Sequence, residues 1–287
     1  MAGTIPVGYA LVAFVTWRDE AINDITITAG GWDLRATTSG NDPRMVLLHP
    51  GVGDRRIWHD LMQILAPEHT AVAYDRRGFG DTTPANAEFA NIDDLDAVVA
   101  TCADGPVVLV GNSQGGRVAI DYALEHPERV ARMVLIAPAI SGAPDPDWED
   151  ELGFEFLTEI EAAEERGDLE SINRYEAHIW LDGVDAQEGR VSGPARELFL
   201  QMNGVALANE AGVPPSDPPS AIERLDELAM PILVIVGELD LSYQRTSARA
   251  LAAVVAEGRL VELEGVAHLP QLEEPQLIAE LIREFIA

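Results

Sequence analysis

The sequence predicts an α/β fold: a mostly parallel central sheet, helices on both faces, and a helical lid inserted before the last strands. Two observations carry this. Short, solidly apolar runs alternate with helically spaced segments, as expected when a parallel sheet is covered on both faces. The strand pattern then stops at about residue 141, gives way to a helical, acidic stretch, and resumes after residue 226. With 287 residues, 47% of them hydrophobic, the chain can bury a sizeable core.

Asp24–Thr28 and Trp32–Thr38 alternate apolar and polar residues around Gly30-Gly31, which reads as a hairpin. Met45–His49 reads as a buried strand ending in a Pro-Gly turn. Trp58–Leu65 has helical spacing, Thr70–Tyr74 is the next strand, and Ile92–Cys102 is helical again. Pro106–Val110 is a strand, Gly111–Gly115 a turn, and Arg117–Glu125 a helix broken by Pro127. Met133–Ala137, Ile232–Gly237 and Leu260–Leu263 complete the strands, and Gln271–Ile286 reads as one amphipathic helix. The division expected is an extension over 1–23, a core over 24–140 and 227–287, and an insertion over 141–226 with the Pro-rich loop GVPPSDPPS. Ligands of open parallel sheets bind outside the carboxyl ends of the strands. An insertion leaving from such an end would roof that site.

Ile5–Trp17 is an apolar run of 13 residues. A membrane span needs about 20, and nothing basic precedes Arg18 as a secretory signal would require. It reads as an extra strand or a loose extension, with a poor signal peptide as the lesser reading. Cys102 is the only cysteine, so no intrachain disulfide and no cysteine metal cluster can form. A cytoplasmic location is the expectation that follows.

The chain carries 49 acidic and 19 basic residues, a formal charge of -30, and every basic residue is arginine. Such a surface repels nucleic acid and anionic lipid, so the expected partner is a small-molecule substrate. A salty habitat and genome composition both account for the acidity. Schiff-base chemistry and Walker-type phosphate loops need a lysine the chain lacks. Self-association into a homo-oligomer is left open.

Gly111-Asn112-Ser113-Gln114-Gly115 matches G-x-S-x-G with an apolar strand before it and a helix after it. That context throws Ser113 out over the sheet edge as a nucleophile, with a helix N-terminus beneath the developing charge. A hydroxyl needs a positioned base. Of six histidines, His268 follows the last strand and leaves the same sheet edge as Ser113. His49 ends a strand and is better suited to bracing its own loop. Asp240 follows the strand ILVIVG and gives the chain order Ser, Asp, His, with Glu238, Asp145 and Asp147 as rivals for the acid. The oxyanion donors expected are the amides of Gln114 and of Gly51, with Val52 second, because Pro50 has no N–H.

LLHPGVGDRRIW, AYDRRGFGDT, VGNSQGG, VGELD and AHLPQLEEP, in this order, resemble the α/β-hydrolase superfamily over 24–287. The resemblance implies a lid at 141–226, a Ser-Asp-His triad and no cofactor. Where similar members have His-Gly, this chain has His49-Pro50. Serine at position 113 argues against haloalkane dehalogenases and epoxide hydrolases, which place Asp there. The expected activity is hydrolysis of a carboxylic ester or lactone through an acyl-enzyme. The elbow is also similar to that of carbon–carbon bond hydrolases, and a ligand-binding receptor on the same fold is the alternative outside enzymes. Phe154, Phe156, Trp180, Phe199 and Met202 in the insertion either line an acyl pocket or form the insertion's own core.

Overall fold

The computed structural model describes residues 4–5, 22–41, 44–102, 104–209, 212–218 and 220–287. Nine strands form one sheet: β1 (Thr4–Ile5), β2 (Ile22–Ala29), β3 (Trp32–Ser39), β4 (Met45–Leu48), β5 (Ala71–Tyr74), β6 (Val107–Asn112), β7 (Val130–Ile136), β8 (Ile232–Gly237) and β9 (Gly258–Leu263). Their order is β1-β9-β8-β7-β6-β4-β5-β3-β2. Every pairing from β1 to β5 is parallel, while β3 pairs antiparallel with both β5 and β2. The hairpin expected at Gly30-Gly31 is β2–β3, and both glycines take positive φ.

Strands β4, β5 and β8 are buried at every residue. They need no polar alternation, because both faces are covered. Val46 and Leu48 of β4 join the core on one face, and Met45 and Leu47 the core on the other. On the first face pack α2 (Asn91–Val99), α3 (Gln114–Glu125) and α8 (Ser242–Val254). The second face carries α1 (His59–Leu65), α10 (Pro275–Ile286) and buried residues of the insertion. Between β7 and β8 the insertion adds α4 (Trp148–Leu152), α5 (Phe154–Arg166), α6 (Leu169–Ala177) and α7 (Pro194–Ala208), with a π-helical turn at His178–Gly183.

Two expectations need correction, and one helix is additional. The last helical segment is two helices, α9 (Pro270–Glu273) and α10, because Pro275 cannot continue a helix and Glu274 is turned out of helical geometry. Helix α3 begins at Gln114, three residues early, since Gly115 and Gly116 sit inside its first turn. Helix α8 was not anticipated, although Gln244, Ala248 and Leu251 mark its buried face at helical spacing. Most of the run Ile5–Trp17 lies outside the described residues, and only the backbone pairing of Thr4–Ile5 with β9 is seen. Among the described residues no helix is long and apolar enough to cross a membrane.

Candidate active site

Ser113 stands between β6 and α3 with φ 53° and ψ -117°, a left-handed conformation rare for a residue with a side chain. The surrounding hydrogen bonds hold it there. Its N–H donates to the Ile136 carbonyl at 2.9 Å. Its own carbonyl accepts from the amides of Arg117 at 3.0 Å and Ala139 at 3.1 Å. The flanking glycines are demanded by contact. A Cβ on Gly111 would lie 2.6 Å from the Gly115 carbonyl oxygen, and one on Gly115 would run into the Leu48 backbone. The turn therefore lets α3 close directly onto β6 and β4.

His268 lies in the loop after β9, and its Nδ1 donates to Asp240 Oδ2 at 2.8 Å. Both side chains are almost wholly buried. Asp240 Oδ1 accepts from the Leu241 amide at 2.9 Å, so each carboxylate oxygen has a donor. With its proton on Nδ1, His268 keeps the Nε2 lone pair free to accept, an assignment made from the hydrogen bond. The rival acids are placed otherwise. Glu238 accepts from the Gly265 amide, Asp147 from the Glu149 amide at the start of α4, and Asp145 is exposed.

Ser113, His268, Gly51, Val52 and Gln114 open on one cavity of about 330 Å3. A Cβ on Gly51 would meet the Gln114 side chain at 2.7 Å, so the residues expected to supply the two donors are direct neighbours. His49 braces this loop, as expected. Its Nδ1 donates to the Pro50 carbonyl at 2.7 Å, and its Nε2 accepts from the Arg76 amide at 3.0 Å. Burial, followed by the nearby Arg76 charge, lowers its pKa well below the usual imidazole value, so it stays neutral and neither nitrogen is free.

Asn112, Arg190 and Glu273 carried no signal in the sequence, whereas Trp180 is one of the five apolar insertion residues the sequence singles out. Asn112, next to the nucleophile and fully buried, donates to the Ile136 and His268 carbonyls at 2.9 and 3.2 Å and accepts from Gln271 at 2.9 Å. It ties the serine turn to the histidine loop. Trp180, on the π-helical turn, lies against the His268 ring with centroids 4.7 Å apart. Arg190 joins insertion to core, donating to the Leu181 and Gly265 carbonyls and to Glu273. Glu273 also accepts from the Ala267 amide, and burial pushes its carboxyl up to about 7 against the opposing pull of Arg190. Of the five apolar insertion residues, Phe199 and Met202 are core, Trp180 faces the cavity, Phe156 packs on Tyr175, and Phe154 is 69% exposed. Cys102 is half-buried just after α2, and burial pushes its thiol up to about 11.

The model of a family described as "Alpha/beta hydrolase family" matches residues 45–281. The pimeloyl-[acyl-carrier protein] methyl ester esterase of Aeromonas hydrophila is 26% identical, the match covering 86% of this chain and 96% of that protein. Among solved structures, a thermophilic esterase from Thermogutta terrifontis superposes with a TM-score of 0.70 at 23% identity, over 92% of this chain and 98% of that one. An N-acyl homoserine lactone degrading enzyme does so with the same TM-score of 0.70 at 22% identity, over 91% and 100%.

Proposed function

The chain belongs to the alpha/beta hydrolase family, and on that premise we propose that it is a serine hydrolase cleaving a carboxylic ester or lactone. The observation that carries the reading is the buried His268–Asp240 pair at 2.8 Å, opening on the same cavity as a serine held at φ 53°. The esterases and the lactone-degrading enzyme among the similar proteins favour the ester or lactone bond over other members' substrates.

In this reading Ser113 Oγ attacks the carbonyl carbon as His268 Nε2 takes its proton. Asp240 holds the imidazole in the required tautomer and offsets the imidazolium. The carbonyl electron pair moves onto oxygen, where the amides of Gln114 and Gly51 donate to it, each contributing about 3 kcal/mol to the transition state. As the tetrahedral centre collapses, the C–O bond to the alcohol breaks and His268 returns its proton to the leaving oxygen. Water then repeats the sequence on the acyl-enzyme and frees the acid. The insertion serves as a lid over this centre, with Trp180 its contact with the base.

Turnover of p-nitrophenyl acetate, butyrate and octanoate, with fluorophosphonate labelling, tests the reading in wild type and Ser113→Ala. Expected are turnover and a label at Ser113 in wild type, and loss of both in the variant, by at least about 10^3-fold in rate. A folded wild type that neither labels nor turns over any ester would overturn it, and a receptor role would take its place.

A further inference from the structure

A second cavity, of about 660 Å3, also opens at Ser113. We infer that it is an anion subsite, and that the ester cleaved at Ser113 bears a free carboxylate elsewhere in the molecule. The inference rests on the serine-hydrolase reading for its chemistry, while the subsite itself rests on the placement of Arg76 and Arg117.

The wall of this cavity reverses the charge of the chain. Against 49 acids and 19 arginines overall, it carries Arg76, Arg77 and Arg117 and a single carboxylate, the exposed Asp145. Arg77 is already committed, because its guanidinium forks onto Asp94 with contacts of 2.7 and 2.8 Å. Arg76 has no carboxylate partner among the described residues, and Arg117 has only a long ion pair. Arg76 is only 4% exposed, and among the described residues no carboxylate lies within 4 Å of it. Its donors reach the carbonyls of His49 and Pro50 and the Gln114 amide oxygen, and its Nε is buried without a partner. Arg117 touches Asp217 at 3.6 Å, beyond hydrogen-bonding reach, and its Nε is likewise buried and unpaired.

Desolvating a cation among carbonyls is costly, and an anion between the two guanidiniums would offset that cost. The backbone adds to the same field. Arg117 is four residues beyond Ser113, so its Cα lies about 6 Å along α3, and the positive end of that 12-residue helix faces the cavity. A planar carboxylate fits the paired Nη donors at the accessible end of Arg117, whose side chain is 32% exposed. Inside a chain of charge -30, such a pocket would also separate an anionic substrate from neutral esters of equal size.

The test compares monomethyl and dimethyl hexanedioate as substrates of wild type, Arg117→Gln and Arg117→Lys. Hexanedioate and inorganic phosphate are titrated in parallel against the emission of Trp148 and Trp180, which line the cavity. Wild type is expected to favour the half-ester in kcat/KM by at least tenfold, and Arg117→Gln to cut that ratio tenfold, with Arg117→Lys between them. Hexanedioate binding should weaken in the same order and should exceed phosphate binding. Equal turnover of both esters, or a ratio unmoved by Arg117→Gln, would overturn the subsite and leave the hydrolase reading standing. Hexanedioate binding that depends on Arg117, with no ester cleaved and no fluorophosphonate label at Ser113, would keep the subsite and discard the hydrolase reading. Phosphate bound more tightly than hexanedioate would overturn the assignment to a carboxylate.

Discussion

The floor and the roof of the site are built differently. Ser113, Asp240 and His268 stand on loops leaving three neighbouring regions of one sheet, and Asn112 laces two of those loops together through backbone carbonyls. Trp180 and Asn203 hang from helices of the insertion, which leaves Phe154, Leu169 and Val205 exposed. The floor is held by ladder hydrogen bonds and close glycine contacts, which tolerate little. The roof is held by side-chain packing and by polar ties such as Arg190. On the proposed reading, the floor decides whether chemistry happens, and the roof what is admitted.

Asp240→Asn breaks the comparison most severely. An amide nitrogen facing His268 Nδ1 would favour the wrong tautomer, and kcat should fall about 10^4-fold with the fold intact. Stopped-flow acylation kinetics beside circular dichroism check this, and a fall of under tenfold would remove Asp240 from the acid role. Trp180→Ala sharpens the contrast from the other side. Removing the ring that lines both cavities should raise KM about tenfold and change kcat less than threefold. A collapse of kcat instead would place Trp180 with the floor.

The smallest effect is at the seam where the insertion begins. Ser141 Oγ donates to Asp121 Oδ2 at 2.6 Å, and burial pushes the Asp121 carboxyl up to about 6. A raised folded pKa means that the folded state holds the proton longer than the unfolded one. The stability so contributed is whole below about pH 4 and is lost as pH rises through about 6. Asp121→Asn keeps an acceptor for Ser141 and removes the charge. It should raise the melting temperature at pH 8 by about 2–4 °C, corresponding to about 1 kcal/mol, and by nothing at pH 4. An equal rise at both values would contradict the sign.

The floor was legible in the sequence because its signals are local. G-x-S-x-G after PVVLV singled out Ser113, and the loops after ILVIVG and after the last strand held the candidate acid and base within a few residues of a strand end. Bracing residues were not legible. Asn112 makes its bonds to residues 24 and 156 positions away, and no spacing rule reaches that far. Arg76 reads in sequence as one more surface arginine, and only the fold closes His49, Pro50 and Gln114 around it. Periodicity also missed α8, whose one-sided stripe of small and polar residues is thin. It likewise joined α9 to α10, where one proline outweighed the amphipathic pattern.

Cys102 has a consequence for how the molecule can be watched. Its thiol sits at about 11 behind packing, so at pH 8 only about one part in a thousand is the nucleophilic thiolate. The chain also has no lysine, which removes the commonest competing side chain for electrophilic dyes. A cysteine introduced at the exposed Phe154 would therefore be the dominant thiol to take a fluorophore. Energy transfer between such a dye and a tryptophan could then time the approach of the insertion to its substrate, with the native cysteine left in place as a dark background.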